Sequence, residues 1–245
     1  MSLTPFVLGG LISAPLEHVG SRTYSRRGSS TAITVPLTGL SGGLATAPRA
    51  GDTVVVFLGV SSALGDTHAA ATPAGWTEIA TVSKIADNVF TGSGDNRAVS
   101  SLKAVSKVMG ASPDTSVVIT GGSGDGEHGF AASVAVFSGA SPDAVVFATV
   151  AEKGKQPRPP SITPTALGSI VLGCGHAANR RDIGAFSSSS YDAFASERAN
   201  DTYDAAVGLG RFAWIAGAFT PDRFSGSGIS NSNAATAITL VIAPK

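Results

Sequence analysis

The sequence predicts an all-β protein: a β-sandwich or jelly roll of about ten short antiparallel strands, preceded by an extended N-terminal arm. Three observations carry this. Apolar residues recur with period two or in short β-branched runs. Clusters of Gly, Pro, Asp and Ser separate those runs. No stretch combines a long helical-period apolar stripe with capping residues.

Residues 1–28 read as the arm. Its first half is apolar, with Phe6, Val7, Leu8, Leu11 and Ile12 interrupted by Gly9 and Gly10. The glycine pair disfavours a helix that would hide those side chains. The segment is therefore expected to dock on its own domain, on a symmetry mate in a homo-oligomer, or on another component. Its second half, Ser21-Arg-Thr-Tyr-Ser-Arg-Arg, is basic and hydroxyl-rich, a solvated linker or a docking segment for an acidic neighbour.

Residues 29–245 read as one sandwich domain. Ala32-Ile-Thr-Val-Pro-Leu alternates as a half-buried strand does. Gly51-Asp-Thr-Val-Val-Val-Phe-Leu-Gly-Val is a continuous apolar run after a turn, which suits a central strand buried on both faces. Trp76-Thr-Glu-Ile-Ala-Thr-Val alternates again. Ser101-Leu-Lys-Ala-Val-Ser-Lys-Val-Met sets Leu102, Ala104, Ser106 and Val108 on one face and Lys103, Val105 and Lys107 on the other. Strands follow at Ser116-Val-Val-Ile-Thr, Phe130-Ala-Ala-Ser-Val-Ala-Val-Phe and Ala144-Val-Val-Phe-Ala-Thr-Val. Gln156-Pro-Arg-Pro-Pro cannot donate to a ladder and reads as a crossing segment or an edge. Runs at 169–174, 191–195, 206–216 and 234–242 complete the set. They echo the order of 51–60, 76–82, 101–109 and 130–137, as two halves of four strands with a break near 157–160 would.

Composition excludes several classes. The chain has 17 basic and 17 acidic residues, so it lacks the basic surface with which a protein displaces counterions from nucleic acid. With 43% hydrophobic residues it is not a disordered chain. No apolar run is long enough for a membrane span. The apolar stretch near Met1 has no Lys or Arg ahead of it, which argues against a signal peptide and for synthesis in a cytoplasm. The single cysteine, Cys174, follows Ile170-Val-Leu-Gly and is expected to be packed rather than nucleophilic.

Motifs for catalysis and cofactors are weak. Gly124-Asp-Gly-Glu-His-Gly129 has the spacing of a dinucleotide loop, but a strand rather than a helix follows, so a Gly-rich hairpin is expected. His18, His68, His128 and His176 stand singly, without metal-ligand spacing. Asp125, Glu127 and His128 read as solvated loop residues rather than a cation site. No G-x-S-x-G elbow is present. No catalytic residue, cofactor or metal is therefore assigned. Trp76 and Trp214 are expected in the core, the N-glycosylation sequon at Asn200 carries no meaning without secretion, and Tyr191 and Tyr203, beside polar loops, are the candidates for a wet surface that stacks on a ligand.

One set of residues carries a resemblance. It comprises Gly51-Asp-Thr-Val-Val-Val, the tag Pro73-Ala-Gly-Trp-Thr77, Leu102-Lys-Ala-Val-Ser-Lys, Phe137-Ser-Gly-Ala, Pro160-Ser-Ile-Thr-Pro-Thr-Ala-Leu-Gly-Ser-Ile-Val-Leu and Ala237-Ile-Thr-Leu-Val-Ile-Ala-Pro. Over residues 30–245 the chain resembles β-sandwich surface proteins, of fibre and spike type, from tailed bacteriophages and phage-derived particles. The resemblance implies a non-enzymatic virion structural protein in a head spike, head fibre or tail fibre, with other particle proteins as partners and a host surface glycan as a contact. It supplies no catalytic residues, and the arm lies outside it. The alternatives are a free carbohydrate-binding module, for which aromatic residues would line an exposed face, and a jelly-roll hydrolase, for which carboxylates would converge in a pocket.

Overall fold

The computed structural model describes residues 15–27, 32–63, 70–85, 98–121, 129–141, 146–153, 155–179, 183–199, 204–228 and 234–245. Among them there is no helix and there are twelve strands. They are β1 (Glu17–Arg27), β2 (Ala32–Pro36), β3 (Thr53–Ala63), β4 (Thr77–Ile85), β5 (Ala98–Val108) and β6 (Ser116–Thr120), followed by β7 (Gly129–Ser138), β8 (Val146–Lys153), β9 (Ile170–Asn179), β10 (Ala193–Ala199), β11 (Asp204–Ala213) and β12 (Ala234–Ile242).

Two five-stranded antiparallel sheets face each other, in the orders β1-β7-β3-β5-β4 and β10-β11-β9-β12-β8. The apolar runs at 53–63 and 170–179 form the central strand of each sheet, where both faces are covered. Alternate side chains of β3 separate two cores. Val55 and Phe57 meet Leu172, Cys174, Leu209 and Leu240 between the sheets. Val54, Val56 and Leu58 face outward, under the two-stranded β2–β6 sheet (Ile33, Val35, Val117, Ile119) and Trp76. A third core covers the outer face of the second sheet, where Ile162, Ile183, Phe186, Tyr191, Trp214, Phe219 and Phe224 come from connecting segments. The fold is thus a sandwich rather than a jelly roll, since the chain completes one large sheet before it begins the other.

The two sheets repeat one plan. Taking β1, β3, β4, β5 and β7 as counterparts of β8, β9, β10, β11 and β12 reproduces the strand order strand for strand. The backbone repeats it too. Asp52 N–H bonds Arg49 O and Asp52 O accepts from Met109 N, while Ser169 N–H bonds Ala166 O and Ser169 O accepts from Trp214 N. The β2–β6 pair has its reduced counterpart in the bridge between Ile162 and Phe219. The halves therefore divide between β7 and β8, earlier than the Pro-rich stretch at 157–160 suggests. That stretch instead crosses the second sheet, where Pro157 O accepts from Phe224 N–H (2.9 Å) and Arg223 holds Glu152 through both carboxylate oxygens.

The reading of residues 1–28 as one arm is corrected. Glu17–Arg27 is β1, paired along its length with β7 and lying over β10. Its polar sequence fits an edge strand, which has one ladder neighbour and little apolar cover. The candidate docking residues Phe6, Val7, Leu8, Leu11 and Ile12 lie outside the described residues.

Cys174 is fully buried between the sheets, and burial pushes its pKa well above the usual thiol range. Its modification by a thiol reagent is expected to be slow in the native protein and fast in denaturant, since the thiolate is the reactive form. Rapid labelling without denaturant would contradict the register of β9.

Candidate functional site

The strands give the molecule two unlike ends. The β4–β5 and β10–β11 hairpins close at one end, and β1, β3, β8 and β9 also finish there. At the other end the chain enters β1 and the C-terminus leaves β12. Ala140 bridges Pro244 there, and Lys245 N–H donates to Gly139 O (2.9 Å).

Beneath the hairpin end lies a buried polar cluster. His176 of β9 is fully buried, and its Nδ1 lies 2.8 Å from Ser100 Oγ of β5. Ser100 Oγ is also 2.9 Å from Thr236 Oγ1 and 3.3 Å from His176 O. Gly59 of β3 makes the room, because a Cβ there would stand 2.2 Å from the imidazole Cδ2. Burial lowers the His176 pKa to about 3. A Ser–His pair suggests nucleophilic catalysis, but these side chains have no access to a substrate, and an imidazole held this far below neutral is a poor base at physiological pH. The cluster joins the two sheets.

The open site is at the β1–β10 edge. Here a cleft of about 150 Å³ lies between the inner faces of the sheets, walled by His18 and Ser21 of β1, Ala193 and Ala195 of β10 and Arg211 of β11, with Ala135 and Leu172 behind them. His18 faces inward because it pairs with Phe137, and the ring centroids are 5.6 Å apart. Arg211 faces inward because it shares the parity of Val207 and Leu209. His18 Nδ1 is 3.1 Å from Gly42 O. His18 Nε2 and Arg211 Nε are both buried without a hydrogen-bond partner. Burial first, and then the charge of Arg211, hold the His18 pKa below its ordinary value. Neither residue was singled out as a site from the sequence. The available signal was a charged side chain at an inward-facing position of the apolar strand Val207-Gly-Leu-Gly-Arg.

Tyr191 is not on a wet surface: it is 8% exposed and packed in the third core. Its ring lies against Gly173 and Gly210, where an added Cβ would fall 1.8 Å and 2.3 Å from Tyr191 atoms. Gly175 and Gly208 are likewise covered by Phe224, so four paired glycines form a floor for aromatic rings. Burial raises the Tyr191 pKa far above its ordinary value. Tyr203, Asn200, Asp125, Glu127 and His128 lie outside the described residues. Trp76 and Trp214 are both 9% exposed core residues, as expected.

Carboxylate titration follows surface pairing. Lys103 donates to Glu78 (2.6 Å), and with the Thr72 and Thr81 hydroxyls it holds the Glu78 pKa at about 2. Among the described residues no cluster of three or more His, Cys, Asp or Glu could hold a metal ion, and no helix is long and apolar enough to cross a membrane. Comparison with protein-family models, curated proteins and solved structures returned no match.

Proposed function

We propose that this chain is a non-enzymatic structural protein on the surface of a phage or phage-like particle, a fibre, spike or tail component. It is held at the end where the chain enters β1 and leaves β12, and displays its hairpin end outward. The observation that supports this reading is the polarity of the sandwich: chain entry and C-terminus share one end, and the hairpins close at the other. Three packed cores and low charge suit a body that holds its shape without a disulfide. The apolar residues Phe6, Val7, Leu8, Leu11 and Ile12 of the segment 1–14 are assigned to docking on another particle protein or on a symmetry mate. The outward loops are the contact for a host surface glycan.

The test is mass spectrometry and immunogold labelling of particles purified from the producing cell, with the full chain and with a chain lacking residues 1–14. The full chain is expected in the particle, and the shortened chain is expected to fold with an unchanged thermal midpoint yet be missing from particles. Absence of the full chain from particles would overturn the reading. Normal incorporation of the shortened chain would overturn the docking role.

A further inference from the structure

We propose that the cleft at the β1–β10 edge binds a small carboxylate, taken up together with one proton. The groups present define the ligand. Gly42 O can only accept, so in the neutral ring His18 Nδ1 carries the proton and Nε2 offers a lone pair. Arg211 Nε–H is a donor. A buried acceptor and a buried donor without partners therefore belong to two residues of one cleft. Their complement is a carboxyl group with a single proton. Arg211 Nε–H donates to one oxygen, the proton resides on His18 Nε2, and that N–H donates to the other oxygen. The proton comes from solvent, and the N–H bond on His18 Nε2 is the one bond formed.

Charge favours an anion over water in this position. Among the described residues Arg211 has no carboxylate within ion-pair distance. Ala135 and Leu172 make the back of the cleft apolar, which strengthens charge attraction there. At roughly 30 Å³ per water, the cleft's 150 Å³ accommodates a carboxylate with a short carbon stem.

The proton follows from the neighbours of His18. On β1 the charged residues are Glu17, which accepts from Ser138, Arg22, which donates to Thr38 O, and Arg26 and Arg27 at the far end of the strand from His18, the end where β10 carries Glu197 and Arg198 beside Ser25. Ahead of β10, Asp192 accepts from Ala213 N–H. β7 and β9 contribute apolar Ala135, Phe137 and Leu172, and the 41–42 loop is uncharged. Arg211 of β11 is the group that disfavours protonation of His18 electrostatically. An anion between the two reverses that effect, so binding and protonation assist each other.

The probe is acetate, added to the full chain while the His18 imidazole resonances are followed by NMR between pH 5.5 and 7.5. Sodium chloride at equal ionic strength is the control. Saturable shifts are expected with acetate only, with a rise of about one unit or more in the His18 pKa at saturation. Acetate affinity should strengthen up to about tenfold per unit fall in pH between the free and bound pKa values. Arg211→Gln should weaken binding at least about tenfold, with its folding checked by thermal midpoint. Glucuronate and a blocked aspartate, compared with acetate, distinguish a carboxylated sugar from an acidic side chain as the source of the group. No acetate-specific shift of His18, equal shifts with chloride, or undiminished binding in a folded Arg211→Gln variant would each overturn the proposal. The wild-type titration decides it even if the variant does not fold.

Discussion

Replacing Phe224 with alanine is expected to destabilise the protein by about 3–5 kcal/mol, the range for truncating a large buried aromatic ring. Phe224 is 1% exposed and sits at the centre of the third core. Its ring meets Phe194 edge-on at 4.9 Å and lies 6.2 Å from Tyr191 and 6.0 Å from Phe186. Such pairs add to the area term. The floor beneath it is Gly175 and Gly208, which have no side chains to move into the space the ring leaves. Collapse is therefore limited, and the cost should fall at the upper end. Domains have about 5–15 kcal/mol in all, so the loss would be plain in a urea titration. A loss below about 1 kcal/mol would show that the connecting segments do not pack on the second sheet in this way.

Stability is expected to fall steeply as the pH drops below 6.5, and His176 is the main cause above the carboxylate range. An unfolded histidine takes up its proton near 6.5, whereas the buried one does so only at about 3. Between those values the unfolded chain binds one more proton, so acid favours unfolding by up to about 1.4 kcal/mol per pH unit. Across the window this amounts to about 5 kcal/mol, and it levels off once the folded state also protonates. His18 is shifted in the same direction and adds to the slope. Glu78, lowered from 4.5 to about 2, acts only below about pH 4.5, within the acid part of that window and beyond it, and little, because it is exposed. Urea midpoints from pH 7.5 to 4.5 should fall much less in His176→Gln than in the parent chain. Equal slopes in the two proteins would remove His176 from this account.

The strands that were legible in the sequence are those whose side chains meet one environment per face. Val54 to Leu58 and Ala234 to Ile242 are buried on both sides; the first reads as an unbroken apolar run and the second as one broken only by Thr236 and Thr239. Lys103 and Lys107 were placed correctly with Val105, on a face that covers Lys103 and leaves Lys107 half-buried. Each lysine has an acidic partner, Glu78 and Asp114, at 2.6 Å. β1 was not legible because an edge strand needs no apolar pattern, and His18, Ser21 and Arg22 looked like linker. Tyr191 was misjudged from its serine-rich surroundings. What buries it is the absence of side chains at Gly173 and Gly210, two residues that become neighbours only once β9 and β11 are in register. The His18–Arg211 cleft has the same origin: its members are far apart in sequence and meet only where the edges of the two sheets close.

The repeated plan bears on Gly59 and His176. Counting from the matched turns at Asp52 and Ser169, these two residues occupy the same position in their respective halves, and they touch across the sandwich. In a pair of identical subunits related by a twofold axis, that position would face its own copy, and both copies would have to be the same residue. Two imidazoles would collide, and two glycines would leave a void. A single chain that carries both halves is free of this constraint. It puts all the volume on one side and none on the other, and then gives the imidazole a hydrogen-bonding partner in Ser100 of the facing sheet, whose hydroxyl is in turn bonded to Thr236. The centre of the molecule is thus the place where its two halves must differ.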